Sequence, residues 1–198
     1  FNFTHFFVQD EKSKELLSST GVTNASISGD TRFDRVASIA AGSKKLPLVE
    51  KFRGESTLII AGSTWKPDEE ILAAFINNSE TAKMVIAPHE VSEANINRIQ
   101  QMLKKPAVLY SKAENKDISA QQVLIIDSIG LLSSLYRYGD VAYIGGGFGV
   151  GIHNILEAAT FELPVIFGPN YQKFKEAVDL KKKGGAFTIK DFSEINSI

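Results

Sequence analysis

Short apolar runs recur along the chain at 58–61, 84–87, 107–110, 123–126, 141–144 and 164–167, with a further one at 186–189. Each is nearly continuous, whereas a sheet with one wet face alternates apolar and polar positions. Strands covered by helices on both faces read as unbroken apolar runs, which is the habit of a parallel sheet. The stretches between them carry helix punctuation. Ser92 is placed to cap a helix whose Ile96, Ile99 and Leu103 share one face. Ser128 is expected to cap the stretch holding Leu131, Leu132 and Leu135. Phe174, Ala177 and Val178 form another stripe, closed by Lys181, Lys182, Lys183 and Gly184. Cations suit the negative end of a helix and glycine its left-handed stop, so those lysines read as a solvated helix end. Over residues 57–190 the alternation predicts an α/β fold, a doubly wound, mostly parallel sheet.

The first 34 residues read as a smaller βαβ unit. A strand is expected at 5–9, a helix capped by Asp10 and stopped at Gly21, and a second strand at 25–28. Residues 35–56, with Gly42, Pro47 and mixed charges, read as a linker with room for a short helix, and 57–198 as the main domain. The chain starts at Phe1-Asn2-Phe3 without an initiating Met and ends at Asn196-Ser197-Ile198 in a helix-like segment. Both ends therefore read as cuts in a longer protein, with the first unit a remnant from the edge of a missing domain.

Composition removes several classes of function. With 22 basic and 23 acidic residues interspersed, no basic surface is concentrated enough for general nucleic-acid binding. No cysteine is present, which excludes disulfides and thiolate zinc sites. Nor does any apolar run approach the ~18 residues of a membrane-spanning helix. The 198 residues, 43% of them hydrophobic, suffice for one good-sized core.

Ligands of such sheets bind at the carboxyl ends of the strands. Four loops there carry polar or glycine-rich residues: Gly62-Ser63-Thr64-Trp65, Pro88-His89-Glu90, Asp127-Ser128-Ile129-Gly130-Leu131, and the segment from Gly145 through Glu157. The last has five glycines between Gly145 and Gly151, so its backbone can approach a ligand closely. A helix is expected to start near His153 or Asn154, with free N–H groups and its positive end toward an anion. Asn154 and Glu157 would share a face of its first turn, where a carboxylate can accept hydrogen bonds from two vicinal ribose hydroxyls. The same residues also fit a tight strand-to-helix connection with a dipole-favouring acid. His153 reads as a capping or packing residue and Trp65 as a packing residue, while His89 fits a packing and a site role equally well. The glycines follow the fifth main strand and not the first, unlike a dinucleotide fold; P-loop and Gly-x-Ser-x-Gly endings are absent. No His pair has metal-ligand spacing and no Asp-x-Asp occurs, so no metal or other cofactor is expected.

Gly145-Gly146 followed by His153-Asn154-Ile155-Leu156-Glu157-Ala158-Ala159 resembles the donor site of GT-B glycosyltransferases. With Phe7-Val8-Gln9-Asp10, Gly29-Asp30-Thr31-Arg32-Phe33-Asp34, Ala61-Gly62-Ser63-Thr64, Asp127-Ser128-Ile129-Gly130 and Pro164-Val165-Ile166-Phe167-Gly168-Pro169, the ordered set is similar to the 3-deoxy-D-manno-octulosonate (Kdo) transferases. That resemblance implies the C-terminal Rossmann-like domain of a GT-B enzyme that moves Kdo from CMP-Kdo to lipid IVA in lipopolysaccharide biosynthesis. It places CMP against Pro88 and His89, against Ile129, Gly130 and Leu131, and against Asn154, Ile155, Leu156 and Glu157, with Ser63, Thr64 and Gly146 as further candidates. It also assigns the catalytic base, the acceptor groove and membrane contact to the missing N-terminal domain, at the cytoplasmic face of the bacterial inner membrane. No catalytic residue is then expected here, and this chain alone should be inactive.

Two departures stand out. The family commonly has Pro-Arg-His where Pro88-His89-Glu90 stands, and His-x-Gly-Glu where Trp65-Lys66-Pro67-Asp68 stands. The residues by themselves also fit another GT-B half, from a UDP-sugar transferase or epimerase, and a non-catalytic nucleotide-binding α/β module.

Overall fold

The computed structural model describes residues 3–197. Residues 1, 2 and 198, at the outer edges of the expected first unit and main domain, lie outside that range. The chain opens with β1 (Phe6–Val8), α1 (Glu11–Ser19) and β2 (Ala25–Ile27), the two strands pairing in parallel. Asp10 caps α1 as expected, accepting from the Ser13 N–H at 2.8 Å, and Gly21 turns the chain beyond it with φ +87°.

The stretch expected to be a linker is largely helical. α2 (Thr31–Ala41) crosses the expected boundary at 34/35, and α3 (Pro47–Arg53) follows. The Asp30 carboxylate caps α2 through the Arg32 N–H, and Pro47 presets the first turn of α3. Val49 and Phe52 of α3 are fully buried, and Leu46 N–H donates to the Tyr138 hydroxyl at 2.6 Å. Far from being a tether, this segment contributes to the core. Its Gly42, Pro47 and mixed charges left room for one short helix, where the structure has two.

All the apolar runs become strands of one parallel sheet: β3 (Leu58–Thr64), β4 (Lys83–Pro88), β5 (Ala107–Leu109), β6 (Val123–Ile125), β7 (Val141–Ile144), β8 (Val165–Phe167) and β9 (Ala186–Thr188). Their order is β5-β6-β4-β3-β7-β8-β9. Successive residues serve opposite faces. Leu58, Ile60, Val85, Leu124, Ala142 and Val165 join one core cluster, with Val49, Phe52, Leu135, Ile155, Ala158 and Ala177. Ile59, Ala61, Met84, Ile86, Tyr143 and Ile166 join the other, with Leu72, Ile76, Ile96 and Ile99. The second cluster is covered by α4 (Lys66–Asn78) and α5 (Glu93–Met102). The first is covered by α3, α6 (Leu132–Leu135), α7 (Leu156–Ala159) and α8 (Lys175–Lys182). A core on each face is why the runs are continuous.

Two helix starts differ from expectation. Ser92 caps α5 through the Asn95 N–H, but Ser128 caps nothing: α6 begins at Leu132, with Leu131 in the N-cap position. Gly130, at φ +86°, bends the chain between them. The helix after the glycine segment begins at Leu156, not at His153 or Asn154, because the Asn154 side chain accepts from the Leu156 N–H and holds a turn ahead of it.

β3 pairs with β4 on one side and β7 on the other, so the winding reverses between β3 and β7. The loops after these two strands leave the carboxyl edge side by side, which opens a crevice there. Among the described residues, no helix is long and apolar enough to cross a membrane.

Candidate functional site

The crevice is built on a backbone clamp. β3 ends in a bulge between Gly62 and Thr64, where Ser63 takes φ +53°, rare for a residue with a side chain. Gly145 N–H donates to Gly62 O at 2.9 Å, and a Cβ on Gly145 would lie 2.2 Å from Ser63 O. Only glycine fits that approach. On the far side, Asn170 N–H donates to Gly147 O at 2.9 Å and the Asn170 side-chain amide to Gly149 O at 2.7 Å. The glycine segment is therefore held between β3 and the loop after β8.

Beneath it lie two buried carboxylates that the sequence reading did not single out. Asp68 accepts from the Tyr143 hydroxyl at 2.7 Å and from the Trp65 and Gly146 N–H groups at 2.9 Å each. Burial first, and then Asp68, pushes the Tyr143 hydroxyl pKa up, so it stays a donor. Glu69 pairs with Arg98 of α5 and accepts from the Thr64 hydroxyl at 3.1 Å. The spacing of Asp68 three residues beyond Trp65, ahead of an apolar helix, was the available signal: it is the third position of a capping arrangement. Its bonds to β7 and the glycine segment have no local signature.

Above the clamp three rings meet. His89, exposed at the end of β4, stacks on Trp65 with centroids 4.2 Å apart and on His153 at 4.7 Å. The Trp65 indole N–H donates to His153 Nε2 at 2.9 Å. Trp65 is thus no packing residue: it is 42% exposed and stands at the mouth of the crevice. His153, half-buried, has its pKa lowered by burial first and by neighbouring His89 second, with Asp68 opposing. A cavity of about 260 Å³ adjoins, bordered by Trp65, Pro67, Asp68, Gly146, Gly149 and Val150.

The residues expected to line a nucleotide site fall into distinct settings. His89 and the turn at His153 and Asn154 come together through the rings, and His89 N–H donates to Thr64 O, joining the ends of β4 and β3. The Asn154 side-chain amide donates to Glu157 Oε1 at 3.3 Å, so those two share a face as expected. Pro88, Ile155 and Leu156 are buried, and Ile155 joins the core that α7 covers. Ile129 is 84% exposed and Gly130 exposed, while Leu131 is half-buried. That loop connects to the crevice through α6, since a Cβ at Gly62 would meet Leu132 and the Tyr136 hydroxyl. Of the further candidates, Ser63 sits on the bulge, the Thr64 hydroxyl is turned inward to Glu69, and the Gly146 N–H is already taken by Asp68.

A parallel sheet that switches winding at a clamped glycine loop is the fold of a GT-B C-terminal domain of Rossmann-like form. The C-terminal CMP-Kdo-binding domain of WaaA from Acinetobacter baumannii shares this fold, with a TM-score of 0.65 over 82% of this chain and 86% of that one at 23% identity. The 3-deoxy-D-manno-octulosonic acid transferase of Rickettsia bellii is 28% identical over 205 residues, covering 98% of this chain and 47% of that protein. Its counterpart from Aquifex aeolicus is 32% identical over 151 residues, 73% of this chain and 41% of that protein. No protein-family model matches. The chain is a C-terminal domain of the Kdo transferases, a family of glycosyltransferases, and spans under half the length of these relatives.

Proposed function

We propose that this chain is the donor-binding half of an enzyme moving Kdo from CMP-Kdo to lipid IVA in lipopolysaccharide assembly, at the cytoplasmic face of the inner membrane. The observation that carries the reading is the Asn154–Glu157 pair at the start of α7, beside the glycine clamp and at the winding switch. Asn154 uses one lone pair of Glu157 Oε1, which leaves the rest of the carboxylate for two vicinal ribose hydroxyls. The backbone around Gly130 and Asn154 faces the phosphate, and Pro88 and His89 border the nucleotide. Residues 1–34 belong to the edge of the partner domain. That domain supplies the base for the acceptor hydroxyl and the contact with the membrane. This half binds and stabilises the leaving nucleotide, and alone it transfers nothing.

Calorimetry with CMP, UMP and NAD in separate titrations tests this. CMP should bind in preference to the others, and Glu157→Ala should weaken it about ten- to hundredfold, the worth of charge-assisted hydrogen bonds. With CMP-Kdo and lipid IVA supplied, the same protein should give no turnover. A preference for UMP points to a UDP-sugar enzyme, and binding indifferent to Glu157→Ala removes the carboxylate from the site.

A further inference from the structure

Trp65 and His153 belong to the loops on either side of the winding switch, after β3 and β7. Their ring planes differ by 12°, and the indole N–H meets His153 Nε2 at 2.9 Å. His89, from the end of β4, lies against both rings. An imidazole nitrogen that accepts a hydrogen bond carries no proton, so neutral His153 holds its proton on Nδ1. The free edge of the ring is then a donor. Asn154 follows immediately and Glu157 three residues later, so this donor heads the segment to which the nucleotide reading assigns the ligand.

We propose that Trp65 is a positioning residue, locking His153 as the Nδ1–H tautomer so that its ring donates a hydrogen bond to a phosphate oxygen of the bound nucleotide. The proposal rests on the donor-site reading and adds a named side-chain contact to it. The lock also governs titration. A proton arriving at Nε2 would confront the indole N–H, so protonation breaks the pair. Burial and His89 already favour the neutral ring, while Asp68 of α4 pulls the other way. Trp65→Phe keeps an aromatic ring beside His89 and removes the N–H together with the rest of the five-membered ring, so the cytidine arm separates the lost hydrogen bond from lost packing.

The experiment is ¹⁵N NMR of the histidine rings in the parent and in Trp65→Phe, paired with calorimetry using CMP and cytidine. The parent should show the Nδ1–H pattern for His153. Trp65→Phe should lose it and raise the titration midpoint of that ring, with CMP bound about tenfold more weakly, as for one lost hydrogen bond, and cytidine unchanged. An Nε2–H ring in the parent overturns the proposal. So does a variant that leaves the tautomer in place, or one that weakens CMP and cytidine alike, since that is a packing effect. If CMP fails to bind the parent while the tautomer switches as expected, the nucleotide assignment falls and the Trp65–His153 coupling stands.

Discussion

At Asp68 one carboxylate with no solvent exposure satisfies three donors that come from three places: the hydroxyl of Tyr143 in β7, the backbone of Trp65 and the backbone of Gly146. Removing it would strand all three, and each buried unpaired donor costs about 1–3 kcal/mol. Asp68→Ala should therefore lower stability by at least about 3 kcal/mol in urea unfolding. Asp68→Asn should lose only about 1 kcal/mol, because its carbonyl oxygen can serve both N–H groups while the Tyr143 hydroxyl rotates to accept from the amide. Equal losses for the two variants would contradict this account of the site. The helix-capping part of this role could be read three residues after Trp65; the link to Tyr143, 75 residues away, could not. Trp65 was misread for the same reason: its partners His89 and His153 are neighbours only once the ends of β3, β4 and β7 are aligned.

At the scale of elements, the strands were the most legible part. Leu58 and Ile60 feed one core and Ile59 and Ala61 the other, so an unbroken apolar run had one sensible reading. The short helices were not legible in detail. α6 and α7 have four residues each, and their starts are set by the Gly130 bend and the Asn154 turn, not by a cap at Ser128 or a start at His153. α2 and α3 were hidden because each buries few residues, Val36 in one and Val49 with Phe52 in the other. The glycine segment mixes required and tolerant positions. A Cβ on Gly147 would sit 2.5 Å from Gly168 N, whereas one on Gly149 would meet nothing nearer than 3.7 Å. Gly147→Ala should cost about 1–3 kcal/mol and weaken CMP binding, since backbone must move. Gly149→Ala should change neither by thermal melting or calorimetry; a reversed order would mean the loop is not clamped against Gly168.

For the whole molecule, the order β5-β6-β4-β3-β7-β8-β9 matters more than any single element. It sets the loop after β3 beside the loop after β7, and so brings Trp65, His89 and His153 to one mouth with Asn154 and Glu157 next in the chain. The alternating pattern made a doubly wound sheet legible, whereas the winding switch between β3 and β7 shows only in the strand order. The fold is shared with the Acinetobacter domain, and the Rickettsia and Aquifex proteins match it in sequence. The most direct test of the donor-site claim is a crystal of this chain soaked with CMP. The account predicts the ribose hydroxyls within hydrogen-bond reach of the Glu157 carboxylate, with the phosphate beside His153. Well-ordered CMP bound elsewhere on the molecule, with Glu157 still engaged only by Asn154, would contradict it.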